Sequence, residues 1–190
     1  MDPVKTMERV IAESRRIVDG MTPEQLGNPT LCTEWTVRDV LNHITGGATY
    51  FAMVSEQGSV SDEVTGQLLG TGDNLGDDYK RAFNNAADRA LVAFSQPGAL
   101  EKQVKLPFGE MPAAVALNIA IFDVTTHTCD MAEATGQEMK DTELLETAIE
   151  VGKQTVRPEM RTPGFFDAEQ PCADAAPPDK RLLAFAGRPV

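Results

Sequence analysis

Basic residues are scarce in this chain, and that scarcity excludes one class of partner. Seventeen lysines and arginines face 29 aspartates and glutamates, which leaves a net charge of −12 over 190 residues. Binding to a phosphate backbone requires clustered cations that release counterions, yet no basic run here is longer than two residues. We therefore expect no nucleic-acid partner.

Cysteine is equally sparse. Cys32, Cys129 and Cys172 are odd in number, far apart and without a CxxC motif. This pattern argues against a disulfide framework or a cysteine-type zinc site. We expect reduced, partly buried thiols.

Long apolar runs are missing as well, so no segment is expected to span a bilayer. The N-terminal stretch "MDPVKTMERVIAESRRI" mixes charges into an amphipathic pattern, whereas a signal peptide needs an uninterrupted apolar core. We expect a cytoplasmic protein with no membrane partner.

Strand patterns are nearly absent, whereas helical periodicity recurs along the chain. One of the periodic stretches, from Met111 to about Thr135, is unusually apolar and is expected to lie inside a bundle. Several long helices with almost no strand signal predict an all-α protein built as an antiparallel helical bundle. The periodic stretches are residues 4–19, "TVRDVLNHITGGATYFAMV", "DDYKRAFNNAADRALVAFSQ", residues 111–135 and "DTELLETAIEVGKQTV".

The segments between and after these helices are less regular. Residues 55–76 are rich in glycine and serine and predict a long loop, either a partly ordered lid or a passive linker. The stretch "EKQVKLPFGEMP" predicts an extended connector with at most a short strand. We expect residues 1–158 to form the bundle, and residues 159–190 to form a tail that packs on it through one short helix, "DKRLLAFAG".

The only two histidines are the main candidates for chemistry. Asp123 and His127 are four residues apart, so they lie one above the other on a helix. His43 lies on a second helix, and if the two helices are neighbours it completes a set of two histidines and a carboxylate. Three protein ligands with free positions are typical of a catalytic metal site. A solvated or hydrogen-bonded pair on a helix surface is the competing interpretation.

Two stretches resemble a known family. "PTLCTEWTVRDVLNHITGG" is similar to the segment that carries the first metal ligand in the mycothiol-dependent maleylpyruvate isomerase family, a branch of the DinB-like superfamily. "FDVTTHTCDMAEATGQ" resembles its second motif, an acid four residues before a histidine. "LPFGEMPAA" and the terminal "RLLAFAGRP" also look like its shorter actinobacterial members.

The resemblance implies a DinB-like four-helix bundle with a divalent metal held by His43, Asp123 and His127. Zinc is the first candidate, and nickel, manganese and iron also suit such ligands. Two positions depart from the family pattern, because Asp123 replaces a glutamate and Cys129 replaces a tryptophan. Cys129 is two residues after His127 and should point away from the metal into packing.

Three further residues have two interpretations each. Trp35 packs over the start of the second helix or stacks on a substrate. Asp39 orients His43 from a second shell or complements the helix dipole. Asp130 braces the metal-binding face as a second-shell residue or makes a structural hydrogen bond.

The family resemblance implies a metal-dependent transferase or isomerase in which mycothiol, activated as a thiolate, attacks an electrophilic small molecule. The family's isomerase has an additional C-terminal domain, and this tail is too short to be that domain, so maleylpyruvate is not implied as the substrate. The alternative is a non-catalytic metal-dependent stress or small-ligand-binding protein of the same fold. The oligomeric state stays open, with a homodimer as one candidate.

Overall fold

The computed structural model describes residues 2–161 and 166–190 and confirms the all-α prediction. Met1 and residues 162–165, which belong to the predicted bundle and tail respectively, lie outside the described residues. Regular structure consists of helices and one small hairpin. The α-helices and strands are α1 (Pro3–Gly20), α2 (Val37–Gln57), α3 (Asp62–Gly66), α4 (Tyr79–Phe94), β1 (Gln103–Leu106), β2 (Gly109–Pro112), α5 (Ala113–Thr135), α6 (Thr142–Thr155) and α7 (Pro178–Phe185).

Two cross-helix contacts fix the direction of α1 relative to its neighbours. The Lys80 ammonium donates to the Asp19 carbonyl, which places the start of α4 beside the end of α1, so these helices are antiparallel. The Gln137 amide, just beyond the end of α5, donates to the Ile17 carbonyl, so α1 and α5 are parallel.

The second helix runs in the same direction as α4. Near its start, the Asn42 side chain accepts from the backbone N–H of Asn74, shortly before α4. Near its end, the Ser55 hydroxyl donates to the Ala93 carbonyl at the end of α4. The bundle of α1, α2, α4 and α5 therefore has an up-down-down-up order, and residues 58–78 form the crossover that connects the parallel helices α2 and α4.

Capping residues mark the ends of several long helices. Thr36 accepts from the backbone N–H of Asp39 and begins α2. Asp141 caps α6 in the same way. Gly136 ends α5 in the left-handed conformation, with φ of 68°, which glycine adopts without a steric penalty. As predicted, α5 is mostly buried.

The crossover and the hairpin are more ordered than predicted. The second helix continues to Gln57, and residues 62–66 and 67–71 form an α-helical turn and a π-helical turn. Ser61 caps the first of these by accepting from the Val64 N–H. Residues 103–112 form an antiparallel hairpin in which Val104 and Leu106 pack into the core. The turns of the crossover are too short for periodicity to identify them.

The C-terminal tail returns to the bundle. Helix α7 contacts α5 and α6, and its buried Leu182 and Leu183 join a hydrophobic cluster with Phe122 and Leu145. This packing brings the last residues of the chain beside the second half of α5. Within the described ranges, no helix is long and apolar enough to cross a bilayer.

Candidate metal centre

The structure brings His43, Asp123 and His127 together. The two Asp123 carboxylate oxygens lie 3.3 Å from His43 Nε2 and 3.6 Å from His127 Nε2, and the two imidazole centroids are 5.0 Å apart. One donor atom from each of the three residues can be chosen so that all lie within 4.8 Å of one another. The two histidines are therefore neighbours across the α2–α5 interface, as the sequence analysis required.

These distances suit a small divalent cation. Tetrahedral ligation with bonds of about 2.0–2.1 Å separates neighbouring ligand atoms by about 3.4 Å, and each Asp123 oxygen lies near that distance from one of the two imidazole nitrogens. Asp123, although one methylene shorter than glutamate, thus reaches both imidazoles directly. The His43 and Asp123 side chains remain 24% and 25% exposed, whereas His127 is 7% exposed. One side of the set is therefore accessible to a ligand.

Buried polar contacts fix the orientation of His127, the third residue of the set. The carboxylate of Asp130 accepts from His127 Nδ1 at 3.0 Å and from Arg188 Nη2 at 2.9 Å. Because Asp130 engages Nδ1, the His127 ring is held with its Nε2 atom facing Asp123. Arg188 also donates to the Ala186 carbonyl, which ties the guanidinium to the end of the tail.

Charge interactions in the site oppose the effect of burial. Burial alone would raise the pKa of the Asp123 carboxyl, but the His43 and His127 imidazoles and the Arg188 guanidinium lower it to about 2. Burial would lower the pKa of His43, whereas the Asp123 carboxylate shifts that pKa upward overall. Burial would likewise raise the pKa of Asp130, but His127 and Arg188 lower it. Both carboxylates are therefore anionic at neutral pH.

Trp35 covers the two histidines from the loop before α2. Its ring centroid lies 5.1 Å from that of His43 and 5.6 Å from that of His127, stacked on the latter with an interplanar angle of 16°. The loop is held by a hydrogen bond from the Thr30 N–H to the Trp35 carbonyl and by the left-handed Glu34, whose φ is 70°. Trp35 is thus part of the site's wall, packed on its imidazoles.

A second set of potential donors consists of Cys32, His127 and Asp130. Burial raises the pKa of the Cys32 thiol to about 11, so its metal-binding thiolate form is disfavoured. The Asp130 carboxylate is already engaged by His127 and Arg188. The set that contains His43 is therefore the better metal site.

The contacts of Asp39, Cys129 and Asp130, which were also singled out from the sequence, are defined by the structure. Asp39 accepts from both the backbone N–H and the hydroxyl of Thr36, so its contacts are those of a capping box at the start of α2. Cys129 is buried in the cluster formed with α6 and α7, away from the metal candidates. The structure thus brings Asp130 into contact with His127, whereas the hydrogen bonds of Asp39 are with Thr36.

Arg188 is the site residue that sequence reasoning missed. It lies in "RLLAFAGRP", a stretch quoted above for its family resemblance without a role for this residue. A buried arginine cannot be distinguished from a surface arginine by composition or periodicity. Its function becomes visible only once α7 is placed beside α5.

The crossover, which overlaps the segment 55–76 predicted as a lid or linker, packs against α2. The contact is made at Asn42, one residue before His43. The Asn42 amide donates to the Gly72 carbonyl, and its oxygen accepts from the Asn74 N–H. The segment therefore flanks the helix that carries His43. Whether it moves when a ligand binds stays a prediction.

Comparison with known families places most of this sequence in a described domain family. The model of the mycothiol maleylpyruvate isomerase N-terminal domain matches residues 7–132, about two thirds of the chain. Two proteins from different strains of Mycobacterium tuberculosis, both named as uncharacterized proteins, are 33% identical over 192 aligned positions and cover all of each chain.

Two solved structures share the fold. They are crystal structures of mycothiol-dependent maleylpyruvate isomerase and of a histidine-to-alanine mutant of that enzyme, at 17% and 16% identity and a TM-score of 0.65. The match covers 79% of this chain and 66% of each solved chain. At this identity the similarity establishes the bundle architecture, and the chain spans just under two thirds of those enzymes.

Proposed function

This chain belongs to the mycothiol maleylpyruvate isomerase N-terminal domain family, and on that premise we propose that it is a metal-dependent enzyme of thiol chemistry. In this proposal His43, Asp123 and His127 hold one divalent cation, with zinc the first candidate and nickel, manganese and iron compatible with the same donors. The reaction is transfer of a thiol to an electrophile, or a thiol-assisted isomerisation.

The observation that supports this function best is the convergence of two imidazoles and one carboxylate at a partly exposed position. A divalent cation bound there would lower the pKa of a coordinated thiol and favour the reactive thiolate. Two neutral imidazoles, one carboxylate and a 2+ ion leave a local charge of about +1, which attracts an anionic ligand. Asp130 and Arg188 cancel each other and do not alter that balance.

The chain's own residues have distinct roles in this site. Asp123 supplies the negative charge that retains the cation, and His43 and His127 supply neutral nitrogen donors. Asp130 holds the His127 ring in one orientation and one tautomer. Trp35 shields the face of both rings from water, which strengthens charge interactions on that side.

Mycothiol is the proposed co-substrate, because both the family description and the solved enzymes of this fold carry that thiol in their names. The second substrate is a small electrophile. Since this chain spans 66% of those enzymes, the proposal does not extend to maleylpyruvate.

A second candidate is a metal-dependent binding protein without turnover. It is favoured by the engagement of both acids beside the site: Asp39 caps a helix, and Asp130 is neutralised by Arg188. An enzyme of this kind needs a group that can exchange a proton with the substrate, and neither acid is free to do so.

One assay distinguishes the two candidates. Zinc-loaded protein is mixed with N-acetylcysteine as the thiol and 1-chloro-2,4-dinitrobenzene as the electrophile, and thioether formation is followed by absorbance. The enzyme proposal predicts a rate above the uncatalysed reaction that is lost in His43→Ala. Metal binding without rate enhancement favours the second candidate, and the absence of rate enhancement together with the absence of thiol binding contradicts the enzyme proposal.

A further inference from the structure

Two consecutive buried glycines of α2 have opposite surroundings. A Cβ atom added to Gly46 would lie 1.9 Å from the Leu68 carbonyl oxygen and 2.4 Å from the Asn74 amide nitrogen, so close packing of the crossover requires glycine there. A Cβ added to Gly47 would meet no atom within 4 Å. Glycine inside a helix is unfavourable relative to alanine, and no steric contact explains Gly47.

The free space at Gly47 is a cavity of about 30 Å³ at the centre of the bundle. Helices α1, α2, α4 and α5 all contribute to its walls, and Phe51, Phe83 and Phe94 line it with aromatic rings. Asp123 is the one charged side chain among the described residues that line it. The cavity therefore borders the proposed metal centre at Asp123.

The position of Gly47 on α2 explains why the cavity lies next to the proposed metal centre. It follows His43 by four residues, so both face the same side of α2. Ala48 and Phe51, which also line the cavity, are partly exposed, so the cavity is not closed off on the α2 side. A molecule bound at the metal centre can thus extend along α2 from His43 past Gly47.

The size and polarity of the cavity determine which chemical groups it can bind. A single water needs about 10–15 Å³ and two or more polar partners, and this cavity has room for roughly two or three non-hydrogen atoms but a polar group at one end only. A methyl or ethyl end loses unfavourable contact with water by entering. A hydroxyl in the same place loses its hydrogen bonds.

We propose that this cavity is a subsite for a short unbranched alkyl group on the molecule that binds at His43, Asp123 and His127. The proposal rests on the proposed function and adds a substrate class to it: small electrophiles that carry a short unbranched alkyl end, for which simple thiols serve below as metal-bound probes. Gly47 is then the residue that sets specificity, because its missing side chain leaves the space free.

The test uses two thiols of equal length. Cobalt(II)-loaded protein is titrated with 1-propanethiol and with 2-mercaptoethanol, which differ by a methyl in place of a hydroxyl, and the cobalt–thiolate absorption reports binding. We expect the wild type to prefer propanethiol by about tenfold, as expected for an apolar pocket that rejects an unpaired hydroxyl. Gly47→Leu fills the cavity and should bring the two dissociation constants close together.

Two further variants make the comparison secure. Gly47→Ala, which the open space accommodates, should reduce the preference partially and serves if Gly47→Leu does not fold. Val92→Leu enlarges a side chain on α4 that is 62% exposed and outside the cavity, so its preference should equal that of the wild type. Because one ratio is compared across variants, intrinsic differences between the two thiols cancel.

The possible results distinguish a failure of the proposed subsite from a failure of the proposed function. Equal affinities in the wild type, or a preference that survives in both Gly47 variants, overturn the subsite while thiol binding at the metal stands. Absence of the cobalt–thiolate band with either thiol overturns the proposed function and the subsite together. A preference lost only in the Gly47 variants supports both.

Discussion

Replacing Arg188 with alanine should destabilise the fold and weaken the metal centre at the same time. Its guanidinium donates to both carboxylate oxygens of Asp130, at 2.9 Å from Nη2 and 3.2 Å from Nε. The two side chains are 8% and 0% exposed. Removing one partner of a buried ion pair leaves an uncompensated charge and costs about 3–5 kcal/mol, so we expect a loss of unfolding free energy in that range.

The effect on metal binding follows from the contact between Asp130 and His127. Without Arg188 the carboxylate is free to rotate, and the His127 imidazole loses its fixed orientation. Loss of such a supporting contact typically reduces metal affinity about 10–100-fold, and we expect this range for Arg188→Ala. Arg188→Lys keeps the charge but loses the planar fork, and both effects should be intermediate.

Arg181→Ala is the matched control. Arg181 lies on α7 in the same tail and pairs with Glu146, but these side chains are 28% and 50% exposed. An exposed pair contributes about 0–1 kcal/mol, so this variant should stay close to the wild type in both measurements.

Two assays check this prediction. Urea unfolding of the chelator-treated proteins gives the stability difference without metal, and competition with a chromophoric chelator gives the metal affinity. Because the chain has only two histidines, imidazole ¹H–¹⁵N spectra can also report directly whether the His127 Nδ1 proton is lost. If Arg188→Ala costs no more than Arg181→Ala and leaves metal affinity unchanged, the contact chain from the tail to His127 has no energetic role.

Three further predictions concern other parts of the molecule. Asp123→Asn keeps the size of the side chain and removes its charge, so metal affinity should fall by at least about tenfold with little change in metal-free melting temperature; a steep drop in melting temperature with unchanged affinity would make Asp123 structural. Burial would raise the pKa of Glu13, but Arg16 and the Lys140 N–H hold it below the ordinary 4.5. Its stabilisation is therefore complete above pH 4.5 and lost as the pH falls through the lower folded pKa; Glu13→Gln should cost about 1–3 kcal/mol at pH 7 and unfold with a weaker acid dependence, and parallel urea midpoints from pH 7 to 3 would contradict this. If residues 55–76 act as a lid, thiol binding to zinc-loaded protein should slow their hydrogen exchange, whereas uniform exchange despite binding would identify a passive linker.

The long helices were predictable because each repeats its apolar pattern over several turns. The crossover was not, since α3 has five residues and the π-helical turn at 67–71 contains Gly70 in a non-helical conformation. Such short elements depend on tertiary contacts, here between Asn42 and Asn74. The hairpin at residues 103–112 was partly visible, because Val104 and Leu106 alternate with polar neighbours.

The convergence of His43, Asp123 and His127 could be anticipated because two of them share one helix face and the chain has no third histidine. The placement of Arg188 and the stacking of Trp35 could not. Both depend on where an irregular segment returns to the bundle, and local sequence carries no signal for that. The open space at Gly47 is equally invisible, because Gly46 beside it looks the same in sequence and has the opposite surroundings.

Metal content tests the central claim most directly. Wild type, His43→Ala and His127→Ala are purified in parallel without chelator and examined by elemental analysis. We expect close to one divalent ion per chain in the wild type and little in either variant, because each removes one of three donors. Equal metal content in all three proteins would contradict a centre formed by His43, Asp123 and His127.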